Sequence, residues 1–162
     1  METIIEVKNL VKNYGDKQIL KNISFNINKG EIISIIGESG AGKSTLMRCL
    51  NGLEGVNSGS INFYDTDITK LKEKEKNSIK KQMAYVFQDL NIIDNMYVIE
   101  NVLVPFLNRK NFIQVLFNKF SKQEYERALY CLEKVGISKL AYTKAKYLSG
   151  GEKQRVAIAR SL

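Results

Sequence analysis

The sequence predicts an α/β protein in which a strand-forming half precedes a helical half. Three observations lead to this prediction. Strand-like apolar patterns fill the first part of the chain, a nearly continuous apolar run leads into a glycine-rich loop, and apolar residues take helical spacing from Asp94 onward. Strands followed by a loop and a helical cluster are typical of an α/β fold with a helical insertion.

Two kinds of strand are predicted. Apolar and polar residues alternate strictly over residues 23–27, which indicates an antiparallel strand with one exposed face. Residues 31–36 are almost all apolar and have a glycine on either side. Such a run suits a parallel strand buried on both faces, and residues 83–87 form a second candidate of this kind. Further strand-like segments are residues 4–10 and 60–64.

Start and stop signals mark two of the predicted helices. Residues 43–50 are expected to form a helix that ends near Gly52. Ser121 and Glu124 form a capping-box pattern at the start of another helix, and Gly136 is its expected end.

Three further features belong to the helical half. Pro105 is expected to bend or end the helix indicated by the apolar stripe at residues 98–106. Residues 112–120 carry a strongly apolar face at helical spacing, which is expected to pack the helical subdomain or to dock a membrane partner. Ser149 and Glu152 form a second capping-box pattern at the start of the last helix.

The composition is that of one globular domain. Of the 162 residues, 44% are hydrophobic and 26% are charged, and no apolar run is long enough to cross a bilayer or marks a secretory leader. Cys49 and Cys131 are too few for a disulfide framework or a cysteine-rich zinc site, so both are expected in the core. The net charge of +8 is spread along the chain with a denser run at residues 70–81, so nucleic-acid binding is not expected.

The strongest chemical motif is Gly-Glu-Ser-Gly-Ala-Gly-Lys-Ser at residues 37–44, which matches the Walker A pattern. Its glycines let main-chain N–H groups converge on phosphate oxygens, and the following helix adds the positive end of its dipole. The Lys43 ammonium is expected to bridge the β- and γ-phosphates of ATP, and the Ser44 hydroxyl to ligate Mg²⁺. The residues predicted to bind nucleotide here are Gly37, Glu38, Ser39, Gly40, Ala41, Gly42, Lys43, Ser44 and Thr45.

A second motif narrows the class of protein. Residues 148–155 read Leu-Ser-Gly-Gly-Glu-Lys-Gln-Arg, and Ser149 would cap a helix whose glycine turn leaves N–H groups free to face an anion. Downstream of a full Walker A motif, this string resembles the signature sequence of ABC ATPases. The resemblance implies a P-loop ABC ATPase fold with an antiparallel β subdomain and a helical subdomain insertion. It also implies that Ser149, Gly150 and Gly151 close on ATP held by a second copy.

The same resemblance gives roles to two more residues. Gln88 is expected to end a buried strand, and it matches the family's Q-loop glutamine, which reaches Mg²⁺ and the attacking water. Tyr14 matches the aromatic residue that stacks on adenine. The implied domain has a β subdomain and Walker A core at residues 1–88, a helical subdomain at 89–148, and the signature motif and helix at 149–162.

Longer stretches resemble one branch of the family. Residues 39–53 and 101–136 are similar to the ATP-binding subunits of phosphonate importers, which implies an ATPase that couples ATP binding and hydrolysis to transport. The implied partners are a second ATP-binding subunit, a membrane-spanning permease and, indirectly, a solute-binding protein, at the cytoplasmic face of the plasma membrane. Two alternatives stay open: an ABC ATPase of a lipoprotein-release or cell-division complex, and a soluble one acting on nucleic acid or ribosomes.

The resemblance also implies that the hydrolytic residues follow the signature helix. In this family they comprise a strand that ends in a Mg²⁺-associated aspartate, an adjacent catalytic glutamate and a switch histidine. The chain ends at Leu162 and contains no histidine. We therefore expect this chain to be part of a longer protein. The chain is expected to bind Mg-ATP through the residues named above, to contain no catalytic base and to be inactive alone.

Overall fold

The structure is a computed structural model that describes residues 2–109 and 120–162. The chain divides into two compact units, Met1–Met83 and Ala84–Leu162, and each has its own hydrophobic core. The first unit is built on a sheet and the second on helices. This order agrees with the predicted α/β fold, in which strands precede a helical insertion.

A four-stranded antiparallel sheet in the order β2-β1-β3-β4 organises the first unit. Its strands are β1 (Thr3–Tyr14), β2 (Lys17–Asn28), β3 (Ser58–Phe63) and β4 (Thr66–Asp67). Val7 of β1 pairs with Phe25 of β2 and with Ile61 of β3, so apolar side chains are cross-strand neighbours. The structure confirms the strands predicted at residues 4–10, 23–27 and 60–64.

Two helices complete the first unit: α1 (Lys43–Leu50) and α2 (Glu73–Lys80). Helix α1 has the predicted bounds. At its end the N–H of Gly52 donates to the oxygen of Cys49, and the N–H of Leu53 donates to the oxygen of Arg48, both at 2.9 Å. These two hydrogen bonds form a Schellman motif. The buried core of the unit consists of Val7, Leu10, Leu20, Leu46, Cys49, Leu50, Ile61, Phe63 and Ile68.

Two strand predictions are wrong. Residues 31–36 and 83–87 do not form strands, and some of their apolar side chains are strongly exposed, such as Ile32 at 94% and Ile36 at 93%. A strand buried on both faces needs hydrogen-bonded neighbours. Within the two described stretches, the sheet contains antiparallel strands only, and none of them pairs with either run. The apolar pattern is therefore present without the pairing that would bury it.

Among the described residues of the second unit, three α-helices pack around the other core. They are α3 (Val98–Leu103), α4 (Lys122–Lys134) and α5 (Gly150–Ser161). The same residues include short 3-10 helices at Val104–Arg109, Ser138–Leu140 and Ala145–Tyr147. All three α-helices contribute to the buried cluster, for example through Val98, Leu132 and Val156.

The predicted helix signals of this unit are confirmed. Helix α3 gives way to a 3-10 helix at Val104, one residue before Pro105. Helix α4 begins after Ser121, whose hydroxyl accepts from the Glu124 N–H at 3.2 Å and whose N–H donates to the Glu124 carboxylate at 2.6 Å. It ends before Gly136, which has φ of +73°.

Most of the apolar face predicted at residues 112–120 lies outside the described residues, and only Phe120 belongs to them. Phe120 is partly buried against the core of the second unit. Cys49 and Cys131 are both buried and unbridged, as predicted. In residues 2–109 and 120–162, no helix has the length and apolar character needed to span a membrane.

Candidate nucleotide-binding site

The Walker A loop leads from an exposed segment into helix α1. Two of its residues, Gly40 and Gly42, have φ of +82° and +90°, in the left-handed region that favours glycine. A turn is closed where the Ala41 N–H donates to the oxygen of Glu38 at 3.2 Å. Residues 37–41 are exposed, so the main chain of the loop is open to a ligand.

Gly42 has little room for a side chain. A Cβ atom there would lie 3.0 Å from Ile19 Cγ2 and 3.1 Å from Leu20 Cδ2. A Cβ atom on Gly40 would meet nothing within 4 Å. The loop is therefore packed against strand β2 at Gly42 and open at Gly40.

The Lys43 ammonium lies over the carbonyl groups of its own loop. Its Nζ donates to the oxygen of Gly37 at 2.7 Å and to that of Glu38 at 2.6 Å. Lys43 is also the first residue of α1, a helix described in full that has no acidic residue in its first turn. The first four N–H groups of a helix have no partner within it. Positive charge, free donors and exposure together suit an anion such as a phosphate.

Ser44 carries the hydroxyl predicted to ligate Mg²⁺. It is exposed in the first turn of α1, directly after Lys43. Mg²⁺ usually keeps several waters and takes one or two protein ligands besides phosphate oxygens, so one accessible hydroxyl beside the loop fits this ion. Among the described residues no group of three or more His, Cys, Asp or Glu side chains could hold a metal by itself. Mg²⁺ at Ser44 would therefore depend on the phosphates of a nucleotide.

Tyr14 lies on the β-hairpin that also contacts the Walker A loop. It ends β1 and pairs with Lys17 of β2, while Ile19 of the same strand faces Gly42. Its side chain is 45% exposed. The ammonium of Lys12 lies 5.0 Å from the centroid of its ring, within the range of a cation–π interaction. An aromatic ring and the phosphate loop are thus presented by the same pair of strands.

Gln88 belongs to the second unit, where it lies in an exposed turn. The prediction that it ends a buried strand is wrong, because residues 83–87 have no strand partner among the described residues. The nearby Leu90 and Asn91 both have left-handed φ, at +55° and +49°. Arg160 of α5 donates to the main-chain oxygens of both, at 2.7 Å for Asn91. Gln88 is therefore followed by a loop that is fixed to the signature helix.

Ser149 caps helix α5, as predicted. Its hydroxyl donates to the Glu152 carboxylate at 2.7 Å and accepts from the Glu152 N–H at 3.4 Å, and its own N–H donates to the carboxylate at 2.7 Å. These bonds from Ser149 hold the pKa of Glu152 below its ordinary value. A Cβ atom on Gly150 or Gly151 would meet nothing within 4 Å, so the first turn of the helix is open to a ligand.

Basic side chains also fix the signature helix within the second unit. Lys153 Nζ lies 2.7 Å from the Asp94 carboxylate, and Arg155 Nη1 donates to the oxygen of Val135 at 2.7 Å. With Arg160, they connect α5 to separate segments of the unit. The position of Ser149 is therefore determined by contacts along the whole helix as well as by its cap.

Four residues that organise these segments are absent from the predicted site: Lys12, Glu54, Asn101 and Arg160. Asn101 is fully buried, where its Oδ1 accepts from the Ile93 N–H at 2.8 Å and its Nδ2 donates to the oxygens of Ile93 and Tyr97. A polar residue inside an apolar helical stripe is the sequence signal that could have found Asn101. The other three act on partners far along the chain, for which the sequence offers no local signal.

Known proteins similar to this chain agree on one family. The ABC transporter family matches residues 20–162, a range that contains both the Walker A loop and the signature motif. The phosphonates import ATP-binding protein of Fusobacterium nucleatum subsp. nucleatum is 98% identical over 162 residues, which are 100% of this chain and 66% of that protein. The methionine import ATP-binding protein of Clostridioides difficile is 42% identical over 159 residues, which are 98% of this chain and 47% of that protein. The chain thus spans less than two thirds of either relative.

A solved structure extends the likeness to the fold. A dimeric ATP-binding cassette in a post-hydrolysis state, bound to ADP and Pi, matches with a TM-score of 0.80 at 33% identity. The match covers 98% of this chain and 68% of that chain. The chain belongs to the ABC transporter family and has the fold of its P-loop ATP-binding cassettes.

Proposed function

We propose that this chain is the ATP-binding part of an ABC importer subunit and that residues 37–45 bind the phosphates of ATP. The observation that carries the proposal is the position of Lys43, whose ammonium donates to Gly37 and Glu38 at the N-terminus of α1. Both acceptors are carbonyl groups of exposed residues in the glycine-rich loop. Phosphate oxygens can replace them, and a charge-assisted bond to phosphate is stronger than one to a neutral carbonyl.

The loop supplies the remaining phosphate contacts. Its main-chain N–H groups and those of the first turn of α1 donate to phosphate oxygens, and the packing of Gly42 against Ile19 keeps that turn in place. Ser44 would hold Mg²⁺, which neutralises charge on the phosphates when bound. Tyr14 would stack on the adenine.

Ser149, Gly150 and Gly151 are proposed to contact ATP held by a second copy of the subunit. Support comes from the open space beside Gly150 and Gly151 and from the exposed Ser149 hydroxyl at the N-terminus of α5. The hydroxyl already donates to Glu152, so it would turn or share this bond when a phosphate approaches. Closure of two copies on ATP would favour one state of a membrane permease over another.

The transported solute is proposed to be a phosphonate, on the strength of the relative that is 98% identical and named for phosphonate import. A relative named for methionine import is still 42% identical, so the nucleotide site alone does not separate solutes. The proposed partners are a second ATP-binding subunit, a permease and, through it, a solute-binding protein, at the cytoplasmic face of the membrane.

The binding proposal is tested by titrating the full-length protein with a fluorescent ATP analogue. Lys43→Ala is expected to lower the affinity at least about tenfold, because it removes the charged donor to the phosphates. Lys21→Ala is the matched control, since Lys21 is an exposed lysine of β2. Equal affinity in the Lys43 variant and the wild type would overturn the assignment of the loop.

A further inference from the structure

Two charged side chains, those of Lys12 and Glu54, lie beside Tyr14 at the end of β1. Lys12 Nζ donates to the Glu54 carboxylate at 2.8 Å and to the oxygen of Gly55 at 2.7 Å. The two charged side chains are largely buried, at 12% exposed for Lys12 and 27% for Glu54. The Lys12 ammonium thus has two acceptors within hydrogen-bond distance, unlike that of a lysine that extends into solvent.

The cluster acts on the Tyr14 ring through two contacts. The Lys12 ammonium lies 5.0 Å from the ring centroid. The pKa of Glu54 is lowered chiefly by its hydrogen bond with Lys12, and a side-chain hydrogen bond with Tyr14 lowers it further. The ring therefore has a cation near it and a carboxylate beside its hydroxyl, while Tyr14 as a whole is 45% exposed.

The cluster is also connected to the phosphate loop through helix α1. Glu54 follows the end of α1, where the N–H groups of Leu53 and Glu54 both donate to the oxygen of Arg48, at 2.9 and 3.3 Å. Lys43, at the start of the same helix, donates to the oxygens of Gly37 and Glu38 in the loop proposed to bind phosphate. One short helix thus joins the glycine loop to the carboxylate that pairs with Lys12.

We propose that Lys12 and Glu54 are positioning residues for the nucleotide base, which hold the Tyr14 ring with one region covered by the ammonium and its open face available to adenine. This inference rests on the proposed binding of ATP at residues 37–45. The ring is fixed before the base arrives, so less conformational freedom is lost on binding. The inference predicts that both residues contribute to binding of the nucleotide base and do not contribute to binding of its phosphates.

The experiment compares two probes, Mg-ATP and Mg-tripolyphosphate, in the full-length protein by calorimetry. Tyr14→Ala should weaken ATP about tenfold, as expected for loss of one stacked base, and leave tripolyphosphate unchanged. Lys12→Met should weaken ATP about threefold, as expected for loss of a cation–π contact, and also spare tripolyphosphate. In Lys12→Met/Tyr14→Ala the loss should equal that of Tyr14→Ala alone, because Lys12 acts through the ring.

Two further variants guard against misfolding. Lys12→Met alone leaves the Glu54 carboxylate without its ion pair, so Lys12→Met/Glu54→Gln removes both charges together. Lys12→Arg keeps the cation and should retain more ATP affinity than Lys12→Met. Melting temperatures and tripolyphosphate binding report whether each variant is folded.

The outcomes separate this inference from the proposed function. If Tyr14→Ala weakens ATP while Lys12→Met/Glu54→Gln binds ATP as the wild type does, the inference is overturned and the proposed function stands. A larger loss of ATP affinity in Lys12→Met/Tyr14→Ala than in Tyr14→Ala would also overturn it, because Lys12 would then act by a route other than the ring. If the wild type binds neither probe, the proposed function fails and the inference with it.

Discussion

The hydroxyl of Ser149 donates to the carboxylate of Glu152 at 2.7 Å, and the same hydroxyl accepts from the main-chain N–H of Glu152 at 3.4 Å. Hydrogen bonds from Ser149 lower the pKa of Glu152 below its ordinary value of 4.5. A carboxyl group whose pKa is lowered by folding stabilises the protein above its unfolded pKa. That contribution is lost as the pH falls through the folded pKa. The cap of α5 is therefore sensitive to acid.

Glu152→Gln is expected to lower the melting temperature near neutral pH, and the difference from the wild type should shrink progressively as the pH falls below about 4.5. Thermal unfolding of both proteins from about pH 8 to about pH 3 measures this. Glu133→Gln, which changes an exposed glutamate of α4, is the control. A difference that stayed constant across the range would show that Glu152 acts without its charge.

Gly42→Ala is expected to destabilise the protein more than Gly40→Ala. Both substitutions put a Cβ atom at a left-handed φ, which costs about 1 kcal/mol. Only the atom at residue 42 also meets Ile19 at 3.0 Å, which adds about 1 kcal/mol. Urea unfolding of the two variants measures the difference, and equal free energies of unfolding would contradict the tight packing of Gly42 against β2.

Ser44→Ala is expected to remove most of the effect of Mg²⁺ on ATP affinity. The variant loses an oxygen ligand but keeps the loop N–H groups, so affinity should fall about tenfold with Mg²⁺ and little in EDTA. Titrations under both conditions measure this, with Ser34→Ala as a control that removes an exposed hydroxyl outside the loop. An equal loss with and without Mg²⁺ would indicate that Ser44 contacts phosphate directly.

Ser149→Arg in a full-length, hydrolysis-deficient protein is expected to leave ATP binding to the monomer intact and to abolish ATP-driven dimerisation. The bulky cation would fill the open space at the first turn of α5, where a second copy's nucleotide is proposed to lie. Light scattering with and without ATP measures the dimer. Ser138→Arg, at another exposed serine of the second unit, should dimerise normally. Loss of monomer binding would mean that Ser149 faces the nucleotide of its own chain.

Arg160→Met is expected to cost about 2 kcal/mol of unfolding free energy, because it leaves the carbonyl groups of Leu90 and Asn91 without their charged donor. Hydrogen exchange should rise most in the loop around these residues. Arg155→Met removes one bond, to Val135, and is the matched control. Faster exchange spread evenly over the second unit would contradict a specific link to this loop.

Local signals predicted the structure well where a few neighbouring residues decide it. The capping boxes at Ser121 and Ser149 and the change of helix type before Pro105 each depend on contacts within a turn of the chain. The glycine loop and the start of α1 at Lys43 are of the same kind. In each case backbone geometry and one or two hydrogen bonds suffice to fix the element.

The sequence predicted less well where partners are distant. The apolar composition of residues 31–36 indicates burial, but burial requires strands that the described residues do not provide on either side. The roles of Lys12 and Arg160 depend on residues such as Glu54 and Asn91, which the fold brings to them from far along the chain. Charge and spacing in the sequence do not encode such contacts, because a solvated lysine or arginine has the same local pattern.

Asn101 has a consequence for the order in which the second unit folds. The Asn101 side-chain amide forms hydrogen bonds with Ile93 and Tyr97, which are only 8 and 4 residues away. The ion pair of Lys153 with Asp94, by contrast, spans 59 residues. Short separations cost little loop-closure entropy, so we expect contacts of the first kind to form before those of the second kind. On this expectation the segment that carries Ile93 takes its shape with α3 first, and the signature helix docks onto it afterwards.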